Sequence, residues 1–104
     1  MDGKQYEKHV AKKMRRHGYI FVHVSGKSGD YGADVMARTL FLYRKVVVQC
    51  KHYNKPVGVE AVQEVIAARD FYGAKVAIVA SNNTFTRNAK KLATKCNVKL
   101  WERY

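Results

Sequence analysis

Three polar residues stand where strand-forming stretches should be apolar: Asp34, which opens DVMA, and Gln49 and Lys51, which interrupt VVVQCKHY (Val46 to Tyr53). Side chains alternate along a strand, so Val47, Gln49 and Lys51 share one face, and Val46, Val48 and Cys50 share the other. One face is expected to be core, while the other turns polar partway along. A carboxylate and an amide oxygen are hard ligands suited to Mg²⁺, which binds few protein groups and completes its octahedron with water and phosphate oxygens. A neighbouring ammonium can stabilise a phosphate oxygen or position an attacking water. The chemistry open to such a trio is that of a phosphate group held beside a divalent ion.

The elements that must bring the trio together can be read from the spacing of apolar residues. From Lys4 to His17, Tyr6, Val10 and Met14 recur every fourth position among basic residues, which predicts an amphipathic helix ended by Gly18. Tyr19 to Val24 reads as a strand with Ile20, Val22 and Val24 on one face. A loop with Gly26, Gly29 and Gly32 follows, then the DVMA strand, and a turn within Thr39 to Lys45 returns the chain into VVVQCKHY as an antiparallel hairpin. Antiparallel pairing carries Asp34 toward Gln49 and Lys51. VEAVQEVIAARDFYG is expected to be a helix packed into the core and ended by Gly73, and AKVAIVAS a strand covered on both faces. Thr84 or Thr86 can cap a third helix with Ala89, Leu92, Ala93 and Cys96 inward, and VKLWERY supplies the last strand. The order α-β-β-β-α-β-α-β makes this an α/β fold: a mixed central sheet flanked by helices, a meander at one side and parallel strands at the other.

At 104 residues and 47% hydrophobic content the chain is expected to be one folded domain, residues 1–104. Its 20 Lys and Arg against 8 Asp and Glu give a formal charge of +12. That charge points to a polyanion, nucleic acid first. No apolar run approaches the ~18 residues of a membrane span and the N-terminus lacks a signal-peptide core, so a cytoplasmic protein without membrane attachment is expected. Cys50 and Cys96 have no zinc-ligand spacing and are expected to be buried thiols.

Glu7 in the first helix, GAD at 32–34 and QCK at 49–51 together resemble the PD-(D/E)XK nuclease superfamily in its Q-x-K form. With VQCKHY, PVGVEAVQEV, FYGAK and NNTFTRNAKKLA, the resemblance is to the catalytic domain of Mrr-type restriction endonucleases across nearly the whole chain. It implies a restriction-endonuclease-like fold and Mg²⁺-dependent hydrolysis of DNA phosphodiester bonds, with Mn²⁺ as a substitute ion. Residue by residue, it makes Asp34 the metal-binding acid, Gln49 the amide ligand and Lys51 the catalytic lysine. The main-chain carbonyl of Cys50 becomes a further ligand, Glu7 an auxiliary acid, and Gln63 a polar group of the second helix that faces the site. Ala33 replaces the motif proline, which sets backbone shape and carries no charge. No separate DNA-recognition domain accompanies the motif, so a second polypeptide for recognition or methylation is an expected partner, as is a homodimer.

The glycine loop admits two readings, DNA contact through Ser25, Lys27 and Ser28 or an ordinary connection, and it lacks the GK[ST] ending of a nucleotide-triphosphate loop. Asp30 competes with Asp34 as the metal acid, although strand register favours Asp34. Glu64 and Asp70 read as solvent-facing, His52 as the one histidine near the site, and Trp101 and the tyrosines as packing. Two other functions share these features: a Holliday-junction-resolvase-like nuclease and a non-catalytic nucleic-acid-binding module. The intact Asp34, Gln49 and Lys51 argue against the second.

Overall fold

A computed structural model describes residues 1–25 and 33–104. Helix α1 (Gly3–Arg16) is followed by strands β1 (Ile20–Val24), β2 (Val35–Arg38) and β3 (Lys45–Lys51). Helix α2 (Val59–Tyr72), strand β4 (Val76–Ser81), helix α3 (Arg87–Lys95) and strand β5 (Val98–Trp101) complete the chain. The five strands form one sheet in the order β1-β2-β3-β4-β5. Pairing is antiparallel for β1 with β2 and β2 with β3, and parallel for β3 with β4 and β4 with β5. This is the mixed sheet expected from the sequence.

Helix α1 starts at Gly3, one residue before the expected Lys4 and three before Tyr6 of the apolar stripe, because Asp2 and Gln5 form a capping box. The Asp2 carboxylate accepts the Gln5 N–H at 2.8 Å, and the Gln5 side chain accepts the Asp2 N–H at 2.9 Å. Thr86 is the cap of α3. Gly73 ends α2 at φ 63°, a left-handed conformation that costs glycine nothing.

Strand β3 differs from its expected half-polar character, because helices cover both of its faces. Tyr6, Val10 and Met14 of α1 meet Val35, Val46, Val48 and Ile78 on one side. Ala61, Val62 and Val65 of α2, with Ala89 of α3, meet Val47 and Val79 on the other. The valine run is therefore a central strand buried in two cores, and only its last residues reach a polar environment.

The β2–β3 turn falls within Thr39 to Lys45 as expected. Its tip takes the left-handed region with Leu42 (φ 69°) and Tyr43 (φ 53°) instead of Gly or Asn. Leu40, Phe41, Leu42 and Tyr43 are exposed there, at the end of the hairpin away from Asp34. Cys50 and Cys96 are free thiols that are half-buried, short of the full burial expected, because each lies at the end of its element. Among the described residues no helix is long and apolar enough to cross a membrane.

Candidate active site

The β2–β3 register, Val35 opposite Val48, puts Asp34 opposite Gln49 at the C-terminal end of β3. Two main-chain bonds fix Asp34: its N–H donates to the Val48 carbonyl at 2.8 Å, and its carbonyl accepts the Ser25 N–H at 2.8 Å. Its Oδ2 accepts the Cys50 N–H at 2.8 Å. The carboxylate is thereby tied to the peptide between Gln49 and Lys51. Gln49 is only 5% exposed, an amide held inside the sheet where the preceding valines are core.

Lys51 projects from the last residue of β3, and its Nζ pairs with Glu64 Oε1 at 3.0 Å. The lysine side chain is 16% exposed, so the pair is screened less than a surface one. Glu64 is solvent-exposed, as expected, and from there it reaches the site lysine. The signal was available: Glu64 lies three residues after Ala61 and four before Ala68, both buried, which sets it on the inward flank of α2. Gln63, the expected site-facing residue, is exposed, and its neighbour makes the contact with the lysine.

The electrostatics of the acids reflect burial in a positively charged molecule. Burial pushes the Asp34 carboxyl above the usual range and Glu64 adds to the rise, while the Cys50 N–H and Lys51 pull it back. Glu7, half-buried on α1, is raised by burial and then by Asp34. Burial lowers the Lys51 ammonium, but Glu64, Tyr53 and Asp34 outweigh it and the net shift is upward. Burial foremost, with Asp34 and Glu7 adding to it, raises the Cys50 thiol well out of the reactive range. The ring of Tyr6 is buried between His9 and His52, with centroids 5.8 and 5.4 Å away, and its buried hydroxyl has no hydrogen-bond partner among the described residues.

Among the described residues no three His, Cys, Asp or Glu side chains form a group able to hold a metal ion. A divalent ion here must draw on amide and main-chain oxygens as well as carboxylates. The donors present fit that requirement. Asp34 adds to the cost of ionising Glu7, Gln49 offers an amide oxygen, and Cys50 offers a carbonyl. One or two carboxylates with several waters is the usual shell of Mg²⁺. Lys27, Ser28 and Asp30 lie outside the described residues.

The family model of the Mrr-type restriction endonuclease catalytic domain matches residues 1–104. The chain belongs to this restriction endonuclease family. Among curated proteins none matches the sequence. Of solved structures, a protein of unknown function superposes with a TM-score of 0.79 at 21% identity, covering 97% of this chain and 58% of that one. A repair endonuclease from Pyrococcus abyssi gives a TM-score of 0.70 at 20% identity, covering 98% of this chain and 47% of that one. EndoMS in complex with double-stranded DNA gives 0.71 at 20%, with coverages of 98% and 45%. At such identities these structures establish the restriction-endonuclease-like fold alone, and the chain spans about half the length of the proteins it matches. Within that fold, the nuclease domain described here keeps Asp34, Gln49 and Lys51 together at one end of β3.

Proposed function

We propose that this domain is a divalent-metal-dependent endodeoxyribonuclease of the restriction type, acting in the cytoplasm on DNA phosphodiester bonds. The observation that carries the proposal is the Asp34 Oδ2 to Cys50 N–H bond at 2.8 Å, which fixes a carboxylate beside Gln49 and the Cys50 carbonyl, one residue from a lysine. Asp34, Gln49, the Cys50 carbonyl and Glu7 would hold Mg²⁺, with Mn²⁺ as substitute. The ion supplies Lewis acidity at a phosphoryl oxygen and a more acidic water.

The remaining work falls to the chain's own groups. Lys51 keeps its proton at neutral pH, because Glu64 offsets its burial, and it presents positive charge where the phosphate becomes more negative. Glu64 holds that ammonium at a fixed place until substrate competes for it. Ser25, Lys27, Ser28 and Gln63 would contact the DNA backbone. Target choice is assigned to a homodimeric arrangement or to a separate recognition or methyltransferase polypeptide.

The test is a cleavage assay on supercoiled, linear, methylated and branched DNA, with Mg²⁺, Mn²⁺ or chelator. Cleavage should require the ion. Lys51→Ala should slow it by ~10²–10³-fold, the size seen when one group that stabilises developing charge is removed. Lys51→Arg should not rescue it, since a planar guanidinium does not replace a compact ammonium. Wild-type rates in chelator or in Lys51→Ala would overturn the assignment. A strong preference for branched DNA would move it to a junction-resolving nuclease.

A further inference from the structure

Beside Lys51 the chain opens into a cleft of about 1030 Å³, lined among others by His52, Tyr53, Asn54, Lys55, Asn82 and Asn83. This volume is at the top of the ~300–1,000 Å³ range of small-molecule sites. Tyr53 is held in it in an unusual way. The β3–β4 ladder ends at Lys51 opposite Ser81, yet the pairing continues through a side chain. Asn82 Oδ1 accepts the Tyr53 N–H at 2.8 Å, and Asn82 Nδ2 donates to the Tyr53 carbonyl at 2.9 Å. Asn83 Nδ2 donates to the same carbonyl at 3.4 Å. The main chain of Tyr53 is pinned at both its N–H and its carbonyl while the residue stays 37% exposed. The Lys51 ammonium lies 5.9 Å from the centre of that ring.

We infer that Tyr53 is the stacking floor of a nucleotide subsite, which takes one unpaired base of the substrate strand next to the phosphate that Lys51 serves. The inference rests on reading the cleft as a DNA site. An aromatic residue whose main chain is fixed in advance gives stacking at reduced ordering cost, and every base has a π-face to offer it. The Asn82 and Asn83 amides are engaged in holding Tyr53, so the subsite recognises the presence of a base more than its identity. Lys55 at the rim supplies charge for the flanking phosphate. A base paired within a duplex is stacked on its neighbours and cannot reach the ring, so the occupant is unpaired. Asn82 is a positioning residue, acting through Tyr53.

Binding measured in chelator separates this from cleavage. The probes are a duplex with a one-nucleotide adenine bulge, the same duplex with an abasic residue in the bulge, and the fully paired duplex. Wild type should bind the adenine bulge roughly 5- to 150-fold more tightly than the abasic one, the range of one base stacked on an aromatic ring. Tyr53→Phe should keep that ratio and Tyr53→Leu should reduce it toward one, both binding the paired duplex as wild type does. Asn82→Ala should reduce the ratio partially, because the ring remains but loses its anchor. Wild type with no preference, or Tyr53→Leu with an undiminished one, overturns the subsite. A protein that shows the preference yet never cuts DNA in Mg²⁺ overturns the nuclease assignment and leaves the subsite standing.

Discussion

Asp34 carries the tension between stability and chemistry at the scale of a single residue. Its ordinary pKa of 3.8 is raised in the fold by burial first and by Glu64, and Glu7 is raised from 4.5 by burial and then Asp34. An acid whose folded pKa lies above its unfolded value makes the folded state bind more protons. Stability therefore falls as pH rises from the ordinary value through the raised one, and the penalty is fully present above the raised value. Asp34→Asn keeps an acceptor for the Cys50 N–H and removes that charge. It should abolish cleavage while raising the melting temperature at pH 7, each kcal/mol gained appearing as ~4–8 °C in a domain of this size. Mg²⁺ should raise the melting temperature of wild type and not of this variant, which calorimetry can read directly. Tyr6→Phe should also stabilise, by about 1 kcal/mol, because it deletes a buried hydroxyl without a partner among the described residues; a denaturant midpoint unchanged or lowered would contradict this. Asp34, Gln49 and Lys51 were legible in the sequence because strand alternation and antiparallel register depend on local pattern alone. The Lys51–Glu64 pair was only half legible: spacing sets Glu64 beside the buried Ala61 and Ala68, but not how far two long side chains reach across a packed helix and strand.

Among the elements, the best-read ones have a strong period or a dedicated terminator: the stripe Tyr6, Val10, Met14 and the stop at Gly73. The start of α1 was read to within one residue, Lys4 against Gly3, and its cap Asp2, outside the apolar stripe and completed by Gln5, accounts for the difference. Asp2→Ala should cost ~1 kcal/mol, the usual loss for an N-cap, and should loosen the turn that carries Tyr6 and Glu7. Hydrogen exchange of the α1 amides would show faster exchange confined to that helix, and uniform exchange across the sheet would contradict it. The hairpin tip was located only to its window, since Leu42 and Tyr43 adopt positive φ without the Gly or Asn that marks such turns. The second covered face of β3 was also unread, because a valine run followed by Gln and Lys has the same alternation whether one helix layer or two lie over it.

For the whole molecule, a formal charge of +12 governs how the proposed nuclease would associate with DNA. Binding should weaken steeply with salt, with a logarithmic slope of about −0.9 per phosphate neutralised on duplex DNA; affinity unchanged between low and high salt would contradict it. One site cuts one strand per encounter, so a monomer should release nicked plasmid before linear product, and only a symmetric dimer can break both strands together. Ultracentrifugation beside a plasmid time course decides between them, and a strict monomer giving linear product with no nicked intermediate would refute the reasoning. The sheet order has a further consequence for how the molecule is made. Because β1 to β5 lie side by side in chain order, no strand has to be inserted between two already placed, and every pairing joins neighbours in sequence. Each pairing therefore uses only chain already made, which suits a chain that emerges N-terminus first, while the two parallel pairings wait for the crossover helices α2 and α3. Once Lys51 has been made, α1 and the three-stranded meander already hold Glu7, Asp34, Gln49 and Lys51. Glu64 arrives later with α2, and Asn82 later still beyond β4, so the acids meet before the lysine gains its counter-ion and Tyr53 its clasp.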